Sequence, residues 1–366
     1  MKKKLRILSA FASAGLAVSM AGCGQGLAQQ QSSGSKTNLK IGVLFPDTQT
    51  PHWENQMWPG LRDSIAATCA DCKVLYSNVQ SDAVEQQNQA DSMLAQGVNV
   101  LVLAPVNGKT ASVIVEKAKA QNVPVIGFAS IPEGPISAFV GIDVPAVGEA
   151  QGKELLTQLQ AGGDPKRGCV IALNGDAQTP ATDEFKKGRA KSFDSNVNIC
   201  ATYDIQNWSA ANAQTAMDQA ITSVGKDKII GVYAMNDGIA AGAIAAMHNA
   251  GFSKLPPVSG GDASLAGIQR VITGDQGFTM NADIAKWGSV AAPAALAAAR
   301  GEQLTSDKSE KNSTNQFPWF PTPPARPVTS KNLQTEVIDG RLFTYDQICT
   351  TDYLSACEAL GLKPAA

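Results

Sequence analysis

Short apolar runs in this chain end, one after another, in aspartate, asparagine, hydroxyl or indole side chains. Leu39–Phe45 leads into Asp47, Gln49, His52 and Trp53. Val98–Ala104 leads into Asn107, and Val123–Phe128 into Ser130. Farther on, Cys169–Leu173 is followed by Asn174 and Asp176, and Ile199–Tyr203 by Asp204 and Trp208. Ile229–Ala234 is followed by Asn236 and Asp237, and Pro257–Ser259 by Asp262. A carboxylate accepts hydrogen bonds from two neighbouring hydroxyls, a carboxamide both donates and accepts, and an indole face covers the C–H side of a sugar ring. Gathered at one place, such a set binds a small polyhydroxylated molecule. Taken singly, the same Asp and Asn residues also serve as helix N-caps and turn formers. Trp53 and Trp208 equally suit a core, and His52 suits either a ligand contact or turn packing.

Signatures of catalysis are missing. Asn107-Gly108-Lys109-Thr110 has the tail of a phosphate loop, but Leu103 stands where its first glycine belongs. No G-x-S-x-G elbow and no H-E-x-x-H occurs, and two histidines leave little room for a His-based triad. Neither histidine has ligand spacing with cysteine, so no metal is expected, and no cofactor. The reading is of a binding protein, not an enzyme.

The strand-end positions gain meaning from the elements that carry them. Apolar strands alternate with amphipathic helices at Trp53–Cys69, from Asp82 onward (Glu85 completing a capping box), and at Ala111–Gln121. Val74–Tyr76 and Ala138–Ile142 read as further strands. The alternation restarts at Cys169, with helices at Asp183–Phe193, Ala210–Val224, Gly238–Ala250 and Ser264–Thr273. Strands apolar on both faces and separated by helices imply parallel sheets covered on each side. A chain of this length exceeds one core. The expected fold is therefore α/β, two doubly wound parallel-sheet lobes, whose ligand sites lie at the C-terminal strand ends. Ala285–Arg300 reads as a helix. The polar, Pro-rich stretch 301–327 reads as a crossing or linker, Thr335–Ile338 as a short strand and Tyr353–Leu360 as a small helix.

The N-terminus carries Lys2, Lys3, Lys4 and Arg6, then an apolar stretch to Met20, then Ala21-Gly22-Cys23. Residues 1–22 read as a lipoprotein signal peptide, Cys23 as the lipid attachment point and 23–38 as a flexible tether. This places the protein outside the cytoplasm, on the outer face of the cell membrane or in the periplasm. Loss of the leader leaves 26 basic against 32 acidic residues, which argues against nucleic acid as a partner. Six cysteines remain after Cys23. Cys69 and Cys72 are near enough for a local bridge, Cys349 and Cys357 for a C-terminal staple, and Cys169 with Cys200 for a link between strands.

Asn236-Asp237-Gly238-Ile239-Ala240-Ala241-Gly242 and Ser259-Gly260-Gly261-Asp262-Ala263-Ser264-Leu265 resemble the type I periplasmic sugar-binding proteins, on the xylose and multiple-sugar branch. Phe45-Pro46-Asp47 with Trp53, Ala104-Pro105-Val106-Asn107-Gly108, Val337-Ile338-Asp339-Gly340 and Tyr345-Asp346-Gln347-Ile348-Cys349 extend the likeness over 39–360. The resemblance implies two lobes joined by three crossings, 39–142 plus 283–322 and 143–282 plus 323–366, closing on a ligand that is delivered to an ABC permease. It implies sugar contacts from Asn236, Asp237, Asp262 and the Asp47–Trp53 loop. Where the family has an aromatic residue followed by Asp-Arg, this chain has Phe128-Ala129-Ser130. Lys186 stands in place of an arginine, and Ala282, between Asn281 and Asp283, in place of a basic or amide residue. The lost guanidinium forks open the ligand class to less polar or non-pyranose molecules, nucleosides and furanoses included. A monomer is expected, and a sensory receptor serving chemotaxis or a kinase is the alternative role.

Overall fold

The computed structural model describes residues 38–365; the basic leader, Cys23 and all but the last tether residue lie outside the described residues. Strands β1 (Lys40–Phe45), β2 (Lys73–Asn78), β3 (Val100–Leu103), β4 (Val125–Phe128) and β5 (Ala138–Gly141) are parallel and ordered β5-β4-β3-β1-β2. Every residue of β3 is buried, because helices cover the sheet on both faces. Asp82 opens the helix Ala83–Ala95 by accepting from the Val84 and Glu85 amides. The expected return bond from Glu85 is absent among the described residues; a reciprocal box forms instead between Thr344 and Gln347.

The chain then enters a second sheet, β6 (Cys169–Asn174), β7 (Ile199–Asp204) and β8 (Ile229–Ala234), parallel in the order β7-β6-β8. Val258 adds only a single bridge to Val232 where a full strand was expected. β9 (Thr279–Asn281) leads back through the helix Trp287–Arg300, which packs on the first sheet. β10 (Lys308–Lys311) and β11 (Gln316–Pro321) then join that sheet beside β5, and β12 (Arg326–Val328) returns to pair antiparallel with β9. The chain thus passes between the sheets three times.

Three expectations are corrected. Residues 301–327, expected as a crossing or linker, do cross between the sheets at 322–325, but before that β10 and β11 widen the first sheet to seven strands. Thr335–Ile338 is not a strand but part of a π-helical turn, Gln334–Ile338, which buries Val337 and Ile338 against Ile268 and Val271. The longest helix, Val144–Ala161, had no counterpart in the sequence reading. Cys69–Cys72, Cys169–Cys200 and Cys349–Cys357 are disulfide-bonded. Two helices meet through glycines: a Cβ on Gly60 would lie 2.2 Å from Ala285 O, and one on Gly288 would lie 2.3 Å from the Gly60 backbone. No helix of the described residues is long and apolar enough to cross a membrane.

Candidate functional site

The C-terminal ends of both sheets open onto one cavity of about 150 Å³. That is below the roughly 300–1,000 Å³ usual for drug-sized ligands, so its occupant is small. The first sheet contributes the loop after β1. Asp47 accepts from Thr50 N at 2.7 Å and from Trp53 Nε1 at 3.0 Å, which pins the indole in the cavity wall. Burial pushes the Asp47 carboxyl up against those hydrogen bonds. The loop runs into a π-helical turn, Trp53–Met57, an irregularity frequent at functional sites.

The second sheet supplies most of the polar wall. Asp176 takes Gln178 N at 2.7 Å and Asn207 N at 2.6 Å. Trp208 donates from Nε1 to Thr179 Oγ1 at 3.1 Å, and its ring covers Gly175, where a Cβ would lie 2.1 Å from it. Asn236 both caps its helix, Oδ1 accepting from Ile239 N at 2.9 Å, and lines the cavity, its amide nitrogen unbonded to any described residue. Asp262 reaches the cavity from a left-handed backbone (φ 84°), as does Trp208 (φ 53°). His52 Nδ1 lies 3.2 Å from Asp262 Oδ2, linking the two walls, although neither ring nitrogen has a well-aligned hydrogen bond. The attraction is therefore chiefly Coulombic. Burial would lower the imidazole pKa, but Asp262, with Asp47 and Asp237, holds it above its ordinary value.

Of the expected site residues, Asp47, His52, Trp53, Trp208, Asn236 and Asp262 line this cavity. The others do not. Gln49 is exposed and does not line the cavity. Asn107 spends Oδ1 on the Lys109 and Thr110 amides and donates Nδ2 to Gln178 at 3.0 Å, a bond between the walls. Phe128 is a core residue, stacked on Phe45 with centroids 5.8 Å apart. Lys186 and Asp204 pair with each other at 2.9 Å outside the cavity. Asn281 is turned to the Asp283 amide. Asp237 is buried behind the wall, accepting from Ser264 N, Ser264 Oγ and Gln276 Nε2; burial pushes its carboxyl up to about 6, against the pull of Arg270. Its job is to lock the Asp262 loop to the helix Asp237–Asn249.

A family model for the periplasmic binding protein domain matches residues 41–303. The chain belongs to that family. A D-xylose-binding periplasmic protein of Haemophilus influenzae is 26% identical to this binding protein over 325 residues, covering 87% of this chain and 94% of the relative. A xylitol-binding protein of Mycolicibacterium smegmatis is 26% identical over 276 residues, 73% of each. A solved ABC transporter solute-binding protein from Clostridium phytofermentans, with bound β-D-glucose, superposes with TM-score 0.75 at 20% identity, over 84% of this chain and 99% of that one.

No Lys or Arg lines the cavity of this periplasmic binding protein among the described residues, and Ala129 and Ser130 face it where the resemblance led one to expect Asp-Arg. Phe185, Trp287, Met57 and Met280 add apolar surface to the wall. No cluster of three or more His, Cys, Asp or Glu is disposed to hold a metal among the described residues. Among the polar lining residues, sequence reading missed Gln178, Thr179, Asn207 and Gln151. Gln151 donates from Nε2 to the carbonyls of Ala234, Met235 and Gly260, while its Oε1 is buried without a partner. It lies on the helix that the sequence reading passed over, so no strand-end signal marked it.

Proposed function

We propose that the protein is an extracytoplasmic solute receptor of an ABC importer that holds a monosaccharide or related polyol between its lobes and catalyses no reaction. The observation carrying this reading is the single small cavity shared by the tips of two sheets, walled by Trp53 and Trp208 and by the polar ends of Asn236 and Asp262. A ligand touching both walls stabilises the closed arrangement alone, so binding and closure are one event. The lobes comprise 39–142 plus 283–322 and 143–282 plus 323–366, and Cys23 carries a lipid that holds the monomer at the membrane. The relatives named for D-xylose and xylitol support pentoses and their polyols as the first ligands to try.

A thermal-shift screen over D-xylose, xylitol, D-glucose, disaccharides and nucleosides tests this. At a hundredfold excess over Kd, specific binding contributes about 2.7 kcal/mol to the folded state. Asp262→Ala and Asn236→Ala should each abolish the shift in a protein that still melts cooperatively. No shift with any polyol, or an unchanged shift in both variants, sinks the reading.

A further inference from the structure

The chain has two histidines, and one of them, His52, stands in the cleft. It belongs to the loop after β1, while the carboxylate it faces, Asp262, belongs to the second sheet. Their side chains are only 11% and 23% exposed, and the gap between them is 3.2 Å. Asp262 is delivered there by two successive left-handed residues, with φ 84° and 45° at Asp262 and Ala263, held by the bond from Ala263 N to Thr279 Oγ1 at 3.0 Å. Non-glycine residues stay in such a conformation only where their surroundings impose it, and they gather where function uses the strain. On the other side the imidazole rests against Trp53, ring centroids 4.7 Å apart.

We propose that His52 ties closure of this cleft, and with it retention of ligand, to proton concentration: charged, it draws the two lobes together through Asp262; neutral, it releases them. The ligand half of this proposal rests on the binding reading above, and the closure half does not.

The groups around the ring all favour its charged form. Asp262 faces it from the opposite wall, Asp47 from its own loop, and Asp237 from the helix start behind Asp262. Asp176 lines the same cavity, and no Lys or Arg does among the described residues. Burial works against the charge, yet the carboxylates outweigh it and raise the ring's pKa. Opening the hinge would part the ring from Asp262 and wet both, returning the ring to about 6.5. The closed form thus holds the proton more tightly. Its stabilisation is complete below the ordinary imidazole pKa and is lost as pH climbs through the raised one. Asp237 titrates near 6, and its charge, which also draws on the ring, only grows as pH rises, opposite in sense to the latch. The second bond between the walls, Asn107 to Gln178, has no titratable member and serves as a control.

Small-angle scattering of the ligand-free protein at pH 6 and pH 9 tests the latch. The radius of gyration should be larger at pH 9. His52→Gln should show one radius at both pH values, whereas Asn107→Ala should expand at both and keep the difference. Kd for xylitol or D-xylose should rise about tenfold for each pH unit by which Asp262 lifts the ring's pKa, and stay level in His52→Gln. Equal radii at both pH values in the unmodified protein, or a persisting difference in His52→Gln, overturn the proposal. A pH-dependent radius with no binding of either probe instead defeats the sugar reading and leaves the latch standing. If His52→Gln does not fold, the two imidazole proton signals, assigned with His248→Gln, decide. A His52 signal titrating at or below the usual imidazole value overturns the latch.

Discussion

The wall from the first sheet meets the cleft with one polar loop whose hydrogen bonds close on themselves, Asp47 binding Thr50 and Trp53, and is otherwise lined by Met57, Pro105, Val106, Ala129 and Ile142 with the small hydroxyls of Ser81 and Ser130. The wall from the second sheet offers Asp176, Gln178, Asn207, Asn236 and Asp262 from several loops, with left-handed backbone at Asn207, Trp208, Asp262 and Ala263. The first wall is shaped mainly by packing, the second by turn geometry. The sheets behind them differ as well: seven strands against three, the smaller one stapled across β6 and β7 by Cys169–Cys200. Shape selectivity should therefore tolerate changes in the second wall, and polar recognition should tolerate changes in the first.

The comparison breaks most visibly in stability. Phe128→Ala removes a fully buried ring from the first sheet's core and should cost about 3–5 kcal/mol, measured by urea unfolding, while contacts in the second wall survive. Replacing Cys169 and Cys200 with serine reopens a 31-residue separation and should cost about 3–4 kcal/mol. The loss should fall on the second sheet, read by hydrogen exchange in β6 to β8. Asn236→Ala removes a cap and should cost about 1 kcal/mol in addition to binding. Asn236→Asp keeps the accepting oxygen, so it should recover the melting temperature but not ligand affinity. Asp237 ionises near 6 in the fold, above an ordinary carboxylate. It binds its proton more tightly folded than unfolded, so its contribution to stability is full at acid pH and lost as pH rises through about 6. Asp237→Asn should flatten that part of the curve of melting temperature against pH. Lys186→Ala should change stability by less than about 1 kcal/mol, since its pairing with Asp204 is partly solvated, and leave binding untouched; a loss of affinity would return Lys186 to the cleft.

The alternation of strands and helices was legible because buried parallel strands such as Val100–Leu103 are continuous apolar runs. The strand-end rule found eight cavity residues, but it could not tell tips that face the gap from tips that face sideways. Asp204 ends a strand as Asn236 does, yet Lys186 and Asn174 claim it. The helix Val144–Ala161 was passed over; Pro145, Gly148 and Gly152 interrupt its apolar pattern. Pro145 lies in the first turn, where its missing N–H costs nothing. Gly148 is needed where a Cβ would stand 2.3 Å from Phe185 O. In β11, Pro318 and Pro321 suggested a linker. The strand tolerates them with only the four-residue β10 outside it and three paired residues on β5.

The glycine meeting of Gly60 with Gly288 and Ala285 leaves no side chain between two backbones. The helix that continues from Trp53 and the helix that leads out of the second crossing therefore touch backbone to backbone. A side chain at Gly60 or Gly288 would have to force the two helices apart, and so move the segment that carries Trp53 relative to the crossing.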